Sequence, residues 1–336
     1  LHWMVHSFPT RRSSDLVAGT ALEATPYDSV DEGWASEQAA DNSGPVIVPK
    51  VPAWTSTKPA ISFTATDPTD RRADLEVKCS LDGAAPVACA SGWKPGTLGA
   101  GTHTVGITTT DPAGNTATTS VTFRVDATAP TTTPAAPPRT LTTSAWRLSW
   151  SGKDTGSGVG SYDVAWRYQG GSWKSPSAWS ATATTSVVLH VAAAKTYCWH
   201  VRARDAAGNL GAWSTERCAR SPYDDRAMTV SSNWVRKTGS GYLFGTLTST
   251  TVSGARATST ASLSGARVDL VVTRCPTCGS VDVYIGSTKL GRISTAGPQA
   301  ARVLVSLRSS SKRTGRLVLV ALSGPVSIDG YAVLPA

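Results

Sequence analysis

From residue 46 onward, apolar and polar residues alternate with a period of two. The runs are short and are separated by clusters of Gly, Pro, Asp and Asn. No stretch carries the 3.6-residue period of a long amphipathic helix. Ile61, Phe63 and Ala65 form one such run, and Leu75, Val77 and Cys79 another. His103, Val105 and Ile107, then Val121, Phe123 and Val125, continue the pattern. So do Trp146, Leu148 and Trp150; Tyr162, Val164, Trp166 and Tyr168; Val187, Leu189 and Val191; and Tyr197, Trp199, Val201 and Ala203. Near the end, Val268, Leu270 and Val272 alternate, as do Val281, Val283 and Ile285, and Val303, Val305 and Leu307. Successive strand residues point to opposite faces, so each run predicts a strand with one buried face, and the chain as a whole predicts an all-β fold. Leu317 to Leu322 is continuously apolar and predicts a strand buried on both faces.

A five-residue phrase punctuates this pattern twice. Asp111-Pro112-Ala113-Gly114-Asn115 and Asp205-Ala206-Ala207-Gly208-Asn209 each separate two strand-like runs. Gly accepts positive φ without a Cβ clash, and Asp and Asn bond to nearby backbone, so both phrases read as turns. Their recurrence at a domain-sized interval predicts successive sandwiches of related design. The pattern divides into a first sandwich over 46–127, a second over 139–222 and a third domain over 223–336. Residues 128–138, rich in Thr and Pro, read as an extended spacer of roughly 30 Å at about 3.1 Å per residue. Residues 17–45 are acidic and aperiodic and read as a linker or the remnant of an upstream domain. Ser7 to Leu16 resembles the in-frame translation of a common short-read sequencing adaptor, so residues 1–16 are set aside as a sequencing artefact.

Three resemblances follow from particular residues. Val77-Lys-Cys-Ser-Leu-Asp-Gly, Cys89, Gly101-Thr-His-Thr-Val and the first turn phrase resemble a bacterial immunoglobulin-like repeat of secreted proteins from high-GC bacteria. Trp150, Ser161-Tyr-Asp-Val and Thr196-Tyr-Cys-Trp-His-Val-Arg-Ala-Arg-Asp resemble a fibronectin type III domain. Trp234, Gly254-Ala, Leu263-Ser-Gly, Cys278-Gly, Val281-Asp-Val-Tyr-Ile-Gly and Ile328-Asp-Gly resemble a galactose-binding-like jelly roll. The resemblances imply three tandem β-sandwich domains: immunoglobulin-like, fibronectin type III-like and jelly-roll-like. They also imply spacer or contact roles for the first two and carbohydrate binding for the third.

The six cysteines fall into local pairs: Cys79 with Cys89, Cys198 with Cys218, and Cys275 with Cys278. Cys198 and Cys218 lie equidistant from Gly208, as residues facing each other across a hairpin do. Cys275-Pro-Thr-Cys278 reads as a small structural disulfide, with a redox dithiol, a metal half-site and free thiols as the alternatives. Disulfides place the protein in an oxidising compartment, and hence secreted or at the cell surface. The formal charge of +9 suits an anionic partner. The arginines look scattered along strands, so nucleic acid is not expected. No apolar run reaches the ~18 residues of a membrane helix.

Catalytic chemistry finds no foothold. Beyond the excluded N-terminus only His103, His190 and His200 remain, and His190 and His200 have no adjacent acid. Asp224-Asp225 reads as a hinge or cap, because neighbours on a strand face opposite ways. Asp154-Thr-Gly-Ser-Gly and both turn phrases offer oxygens to a Ca²⁺ ion, though none has the ligand count of a recognised calcium loop, and no cofactor is expected. Trp173, Trp179, Trp213 and Trp234 are the candidate ligand-contact aromatics. The expectation is a monomeric, non-catalytic extracellular array for adhesion or binding of polysaccharide, cell wall or another surface protein. The alternative is the C-terminal accessory region of a secreted hydrolase.

Overall fold

In a computed structural model, residues 41–335 are described, and they contain only strands, loops and single-turn 3-10 segments. The adaptor-like stretch and most of the acidic segment lie outside these residues. Three separate cores are built from consecutive stretches of chain: around Ile61–Val125, Leu141–Ala219 and Met228–Val333.

The first sandwich contains β1 (Val46–Lys50), β2 (Trp54–Thr55), β3 (Ser62–Thr66), β4 (Glu76–Leu81), β5 (Val87–Ala88), β6 (Gly101–Thr110) and β7 (Thr116–Val125). Strands β1 and β3 pair in one sheet, and the other runs β2-β7-β6-β4-β5. Ile61, Phe63, Cys79, Val105, Ile107 and Phe123 fill the space between, each at most 3% exposed.

The second sandwich contains β8 (Thr131–Pro134), β9 (Ala145–Lys153), β10 (Val159–Tyr168), β11 (Ser186–His190), β12 (Thr196–Asp205) and β13 (Arg217–Arg220). Its sheets run β11-β9-β8 and β10-β12-β13. Trp146, Leu148, Trp150, Tyr197 and Trp199 dominate the core. Here the expected spacer needs correction. Thr131–Pro134 is an edge strand paired with β9, from Thr131 opposite Lys153 to Pro134 opposite Trp150. An edge strand tolerates a proline because one side of its ladder is unused.

The third domain contains β14 (Tyr223–Asp224), β15 (Met228–Val230), β16 (Val235–Thr238), β17 (Thr246–Thr250), β18 (Arg256–Arg274), β19 (Ser280–Ile285), β20 (Thr288–Ser294), β21 (Ala300–Ser323) and β22 (Val326–Leu334). Its main path is β16-β17-β22-β18-β21-β19-β20, with β15 on β18 and β14 on β22. The two long strands β18 and β21 pair along most of their length, with register shifts between Thr258 and Ser262 and between Gly265 and Arg267. Irregularities of this kind let a strand bend. The pair passes from one layer to the other, so both layers share it. The C-terminal half of β18 pairs with β22, and the C-terminal half of β21 pairs with β19. Gly279 is required where β19 begins beside the end of β21, because a Cβ there would lie 1.3 Å from the Ser323 carbonyl oxygen. The expectation of double burial for Leu317 to Leu322 fails. Leu317, Leu319 and Ala321 are buried, but Val318, Val320 and Leu322 are only half-buried, because no element among the described residues covers their side of the sheet.

All six cysteines are in disulfides, Cys79–Cys89, Cys198–Cys218 and Cys275–Cys278. Cys198 and Cys218 are direct register partners on β12 and β13. Their bond closes a sequence separation of 20 residues. Replacing both with Ala is expected to cost about 3 kcal/mol, mainly through the freed unfolded chain. Thermal unfolding of the double variant checks this, as a drop of several degrees in the second sandwich's transition.

Candidate functional site

The two turn phrases are built alike. In the first, Asp111 accepts from the Asn115 backbone N–H (2.8 Å) and from Asn115 Nδ2 (2.9 Å), while Gly114 takes φ +94°. In the second, Asp205 accepts from the same two groups of Asn209, both at 2.7 Å, and Gly208 takes φ +96°. Each asparagine also holds the chain entering its sandwich. Asn115 Nδ2 donates to the Asp41 carbonyl (2.9 Å), and Asn209 Nδ2 donates to the Asp126 carbonyl (2.9 Å). The phrase is therefore a brace between the closing turn and the incoming segment.

Around each brace three carboxylates gather, Asp41 with Asp70 and Asp111, and Asp126 with Asp154 and Asp205. Within each triad, oxygens lie within 4.8 Å of one another, a geometry able to hold a cation. Much of this capacity is already engaged by protein donors. Burial alone would raise the Asp126 carboxyl, but hydrogen bonds from Thr128 and Ser157 hold it at about 2. Ser43 and Thr69 likewise hold Asp41 at about 2.

The tryptophan candidates divide. Trp234 is 6% exposed and belongs to the third core, which corrects its reading as a ligand contact. Trp179 sits in a single 3-10 turn (Ser177–Trp179) and packs against the second core. Trp173 and Trp213 are more than one-third exposed, yet both their ring faces are covered. The His200 ring lies flat between them, with centroids 3.6 Å from Trp173 and 4.0 Å from Trp213 and planes within 5° and 11°. Arg167 caps the outer face of Trp173 at 4.5 Å, and Arg202 caps Trp213 at 4.6 Å. Glu216 accepts two bonds from Arg167, both 2.9 Å, and Asp163 accepts from Arg202 at 3.0 Å. This five-member stack leaves only indole edges to solvent, so neither ring offers a face to a sugar. Burial pushes the His200 imidazole down to about 4, which keeps it neutral within the stack.

His103 and three carboxyls of the third domain are likewise engaged by neighbouring groups. His103 Nδ1 lies 2.7 Å from Asp82, and its ring stacks on Phe123; the Asp82 contact raises its pKa. Asp224 caps a 3-10 turn through the Arg226 N–H. Asp225 is fully buried, bonded to Thr246 and Thr248, and burial with the neighbouring Asp224 pushes it up to about 6. Asp329 is 1% exposed and accepts from the Leu243 N–H (2.8 Å), and burial drives it up to about 7. Carboxyls with such raised values resemble catalytic acids, but Asp225 and Asp329 are at most 1% exposed.

Two features escaped the sequence. Trp54, under the Arg124 guanidinium at 5.5 Å, lines two clefts of about 420 and 410 Å³ between the first and second sandwiches. Its neighbours Ala53 and Thr55 have no alternating context, so periodicity gave no signal. The second feature is an open sheet face on the third domain. Register places Arg292, Asp282, Val320 and Arg256 side by side on β20, β19, β21 and β18, with Lys289, Tyr284, Val318 and Thr258 in the next row. Directly opposed residues share a face. Tyr284, Val318 and Val320 are half-buried there, and Arg256, Lys289 and Arg292 are exposed.

No protein-family model matches the chain, and no curated protein matches it. Among solved structures, it is similar to the fibronectin(III)-like modules of Clostridium thermocellum CbhA at 12% identity, covering 52% of this chain and 95% of theirs, with a TM-score of 0.36. Carbohydrate-binding modules from the β-sandwich superfamily match at 11% identity, over 61% of this chain and 97% of theirs, with a TM-score of 0.29. Bacteroides ovatus SGBP-B, solved with a mixed-linkage heptasaccharide, matches at 12% identity over 87% of this chain and 99% of its own, with a TM-score of 0.23. These are likenesses of β-architecture.

Proposed function

We propose that the chain is a non-catalytic, extracellular module array that binds polysaccharide or cell wall through its third domain (223–336), with the sandwiches at 46–127 and 139–222 as spacers. The open face on β20-β19-β21-β18 carries this reading. It is a four-strand surface with one half-buried tyrosine, half-buried valines, hydroxyls and charges, and no other element among the described residues occupies it. The three disulfides support an oxidising location. Among the described residues, the perturbed titratable groups are engaged in turns, stacks or buried contacts, and no Ser or Thr hydroxyl is hydrogen-bonded to a His or Lys side chain. No helix among these residues is long and apolar enough to cross a membrane.

The full chain, incubated with a panel of insoluble polysaccharides and wall preparations, is expected to sediment with at least one of them and to release no soluble sugar. Retention on none would remove the binding role, and sugar release would remove the non-catalytic one.

A further inference from the structure

Charge is distributed very unevenly between the domains. Residues 46–127 contain seven Lys and Arg against seven Asp and Glu. Residues 223–336 contain thirteen Lys and Arg against five Asp, a net of +8. Burial sharpens the contrast. Asp225, Asp269, Asp282 and Asp329 are each at most 6% exposed and Asp224 is half-buried, whereas ten of the thirteen cations are exposed. The arginines that look scattered along the chain therefore form a nearly uncompensated positive surface once folded. The sequence hides this because its acids and bases interleave, and only the fold turns the acids inward.

The open face concentrates the effect. Its single carboxylate, Asp282, is already held by Lys289 Nζ (2.5 Å) and Arg292 Nε (2.9 Å). Arg256 stands across the sheet in the same row, roughly 14 Å from Arg292 at about 4.8 Å per strand. Arg316 continues the Val318–Val320 row toward the bend of β21. Neither Arg256 nor Arg316 meets a carboxylate among the described residues. Tyr284 and the two valines form an apolar strip between these cations, suited to a sugar ring, while Thr258 and the exposed Thr229 of β15 add hydroxyls at its far side. A single tyrosine is too little aromatic surface for a strand of stacked bases, which needs a platform at successive positions.

We propose that this face binds an acidic polysaccharide, with uronate carboxylates meeting Arg256, Arg316 and the Lys289–Arg292 pair while sugar rings lie over Tyr284, Val318 and Val320. The guanidinium fork matches a carboxylate's two oxygens and gives such contacts directionality as well as charge. The inference rests on the polysaccharide-binding reading above and names its ligand class.

The test is affinity electrophoresis of the full chain through gels containing polygalacturonate, a neutral β-glucan or polyphosphate. Retardation by polygalacturonate is expected, falling as salt screens the exposed charges. The double variant Arg256→Gln/Arg316→Gln removes two unpaired cations without stranding Asp282, and should weaken that retardation about tenfold. Lys50→Gln/Lys58→Gln removes the same charge from the first sandwich and should leave it unchanged. Equal weakening in both variants, or equal retardation by polyphosphate, overturns the site in favour of unspecific charge attraction. Retention on a neutral polysaccharide without any on polygalacturonate overturns the acidic ligand but leaves the function standing. Retention on no polysaccharide overturns both.

Discussion

Replacing Asp329 by Asn is expected to stabilise the third domain above about pH 7 by on the order of 4 kcal/mol. The folded carboxyl keeps its proton up to about 7, against an ordinary value of 3.8. Between those values the folded state binds more protons than the unfolded chain. Wild-type stability is therefore fully present below about pH 3.8 and is lost as pH rises through about 7. Asp225, raised to about 6, adds to the same slope. Asn keeps an acceptor for the Leu243 N–H and carries no charge, so the variant should lose most of this dependence. Calorimetry at about pH 4 and about pH 8 reads the result. A wild-type third transition equally stable at both values would mean that Asp329 is solvated and ionises normally.

Replacing Asp269 by Ala is expected to cost about 3–5 kcal/mol, because it removes the fully buried carboxylate of a charge pair and strands its partners. Asp269 Oδ1 accepts from Arg267 Nε (2.6 Å) and Ser306 Oγ (2.7 Å), and Oδ2 accepts from Thr140 Oγ1 (2.6 Å). Thr140 belongs to the segment entering β9 and is 1% exposed, so this bond links the second sandwich to the third across a sequence distance of 129 residues. The variant should therefore unfold its third domain earlier and separately from the second. A double-mutant cycle with Thr140→Ala should return a coupling of about 1–3 kcal/mol. Loss below about 1 kcal/mol would show that water replaces these bonds.

Strand runs such as Tyr197-x-Trp199-x-Val201 were legible because their inward faces are uniformly apolar, and the cystine pairs because each is local. What stayed hidden depends on contacts that periodicity does not report. Trp173 and Trp213 looked available because they fall outside the inward alternation, yet His200 and Arg202 of β12 and Arg167 of β10 cover their faces. Thr131–Pro134 looked like a spacer because proline breaks a central strand, but an edge position accepts it. The stretch from Ser309 to Arg316 is polar on both faces and carries no period-two signal. It is still strand because it lies in the bend shared by the two layers of the third domain. The open face was unreadable for the same reason: its members come from four strands spanning Arg256 to Val320.

The cystine placement has a mechanical consequence. A chain pulled at its ends lengthens only where its covalent path is free to straighten. The bond between Cys198 and Cys218 shortcuts 20 residues, and that between Cys79 and Cys89 shortcuts 10. At about 3.5 Å per extended residue, roughly 70 Å and 35 Å of slack stay locked even if both sandwiches open. Under load, each opened sandwich therefore stops short of its full contour length by the span that its cystine encloses.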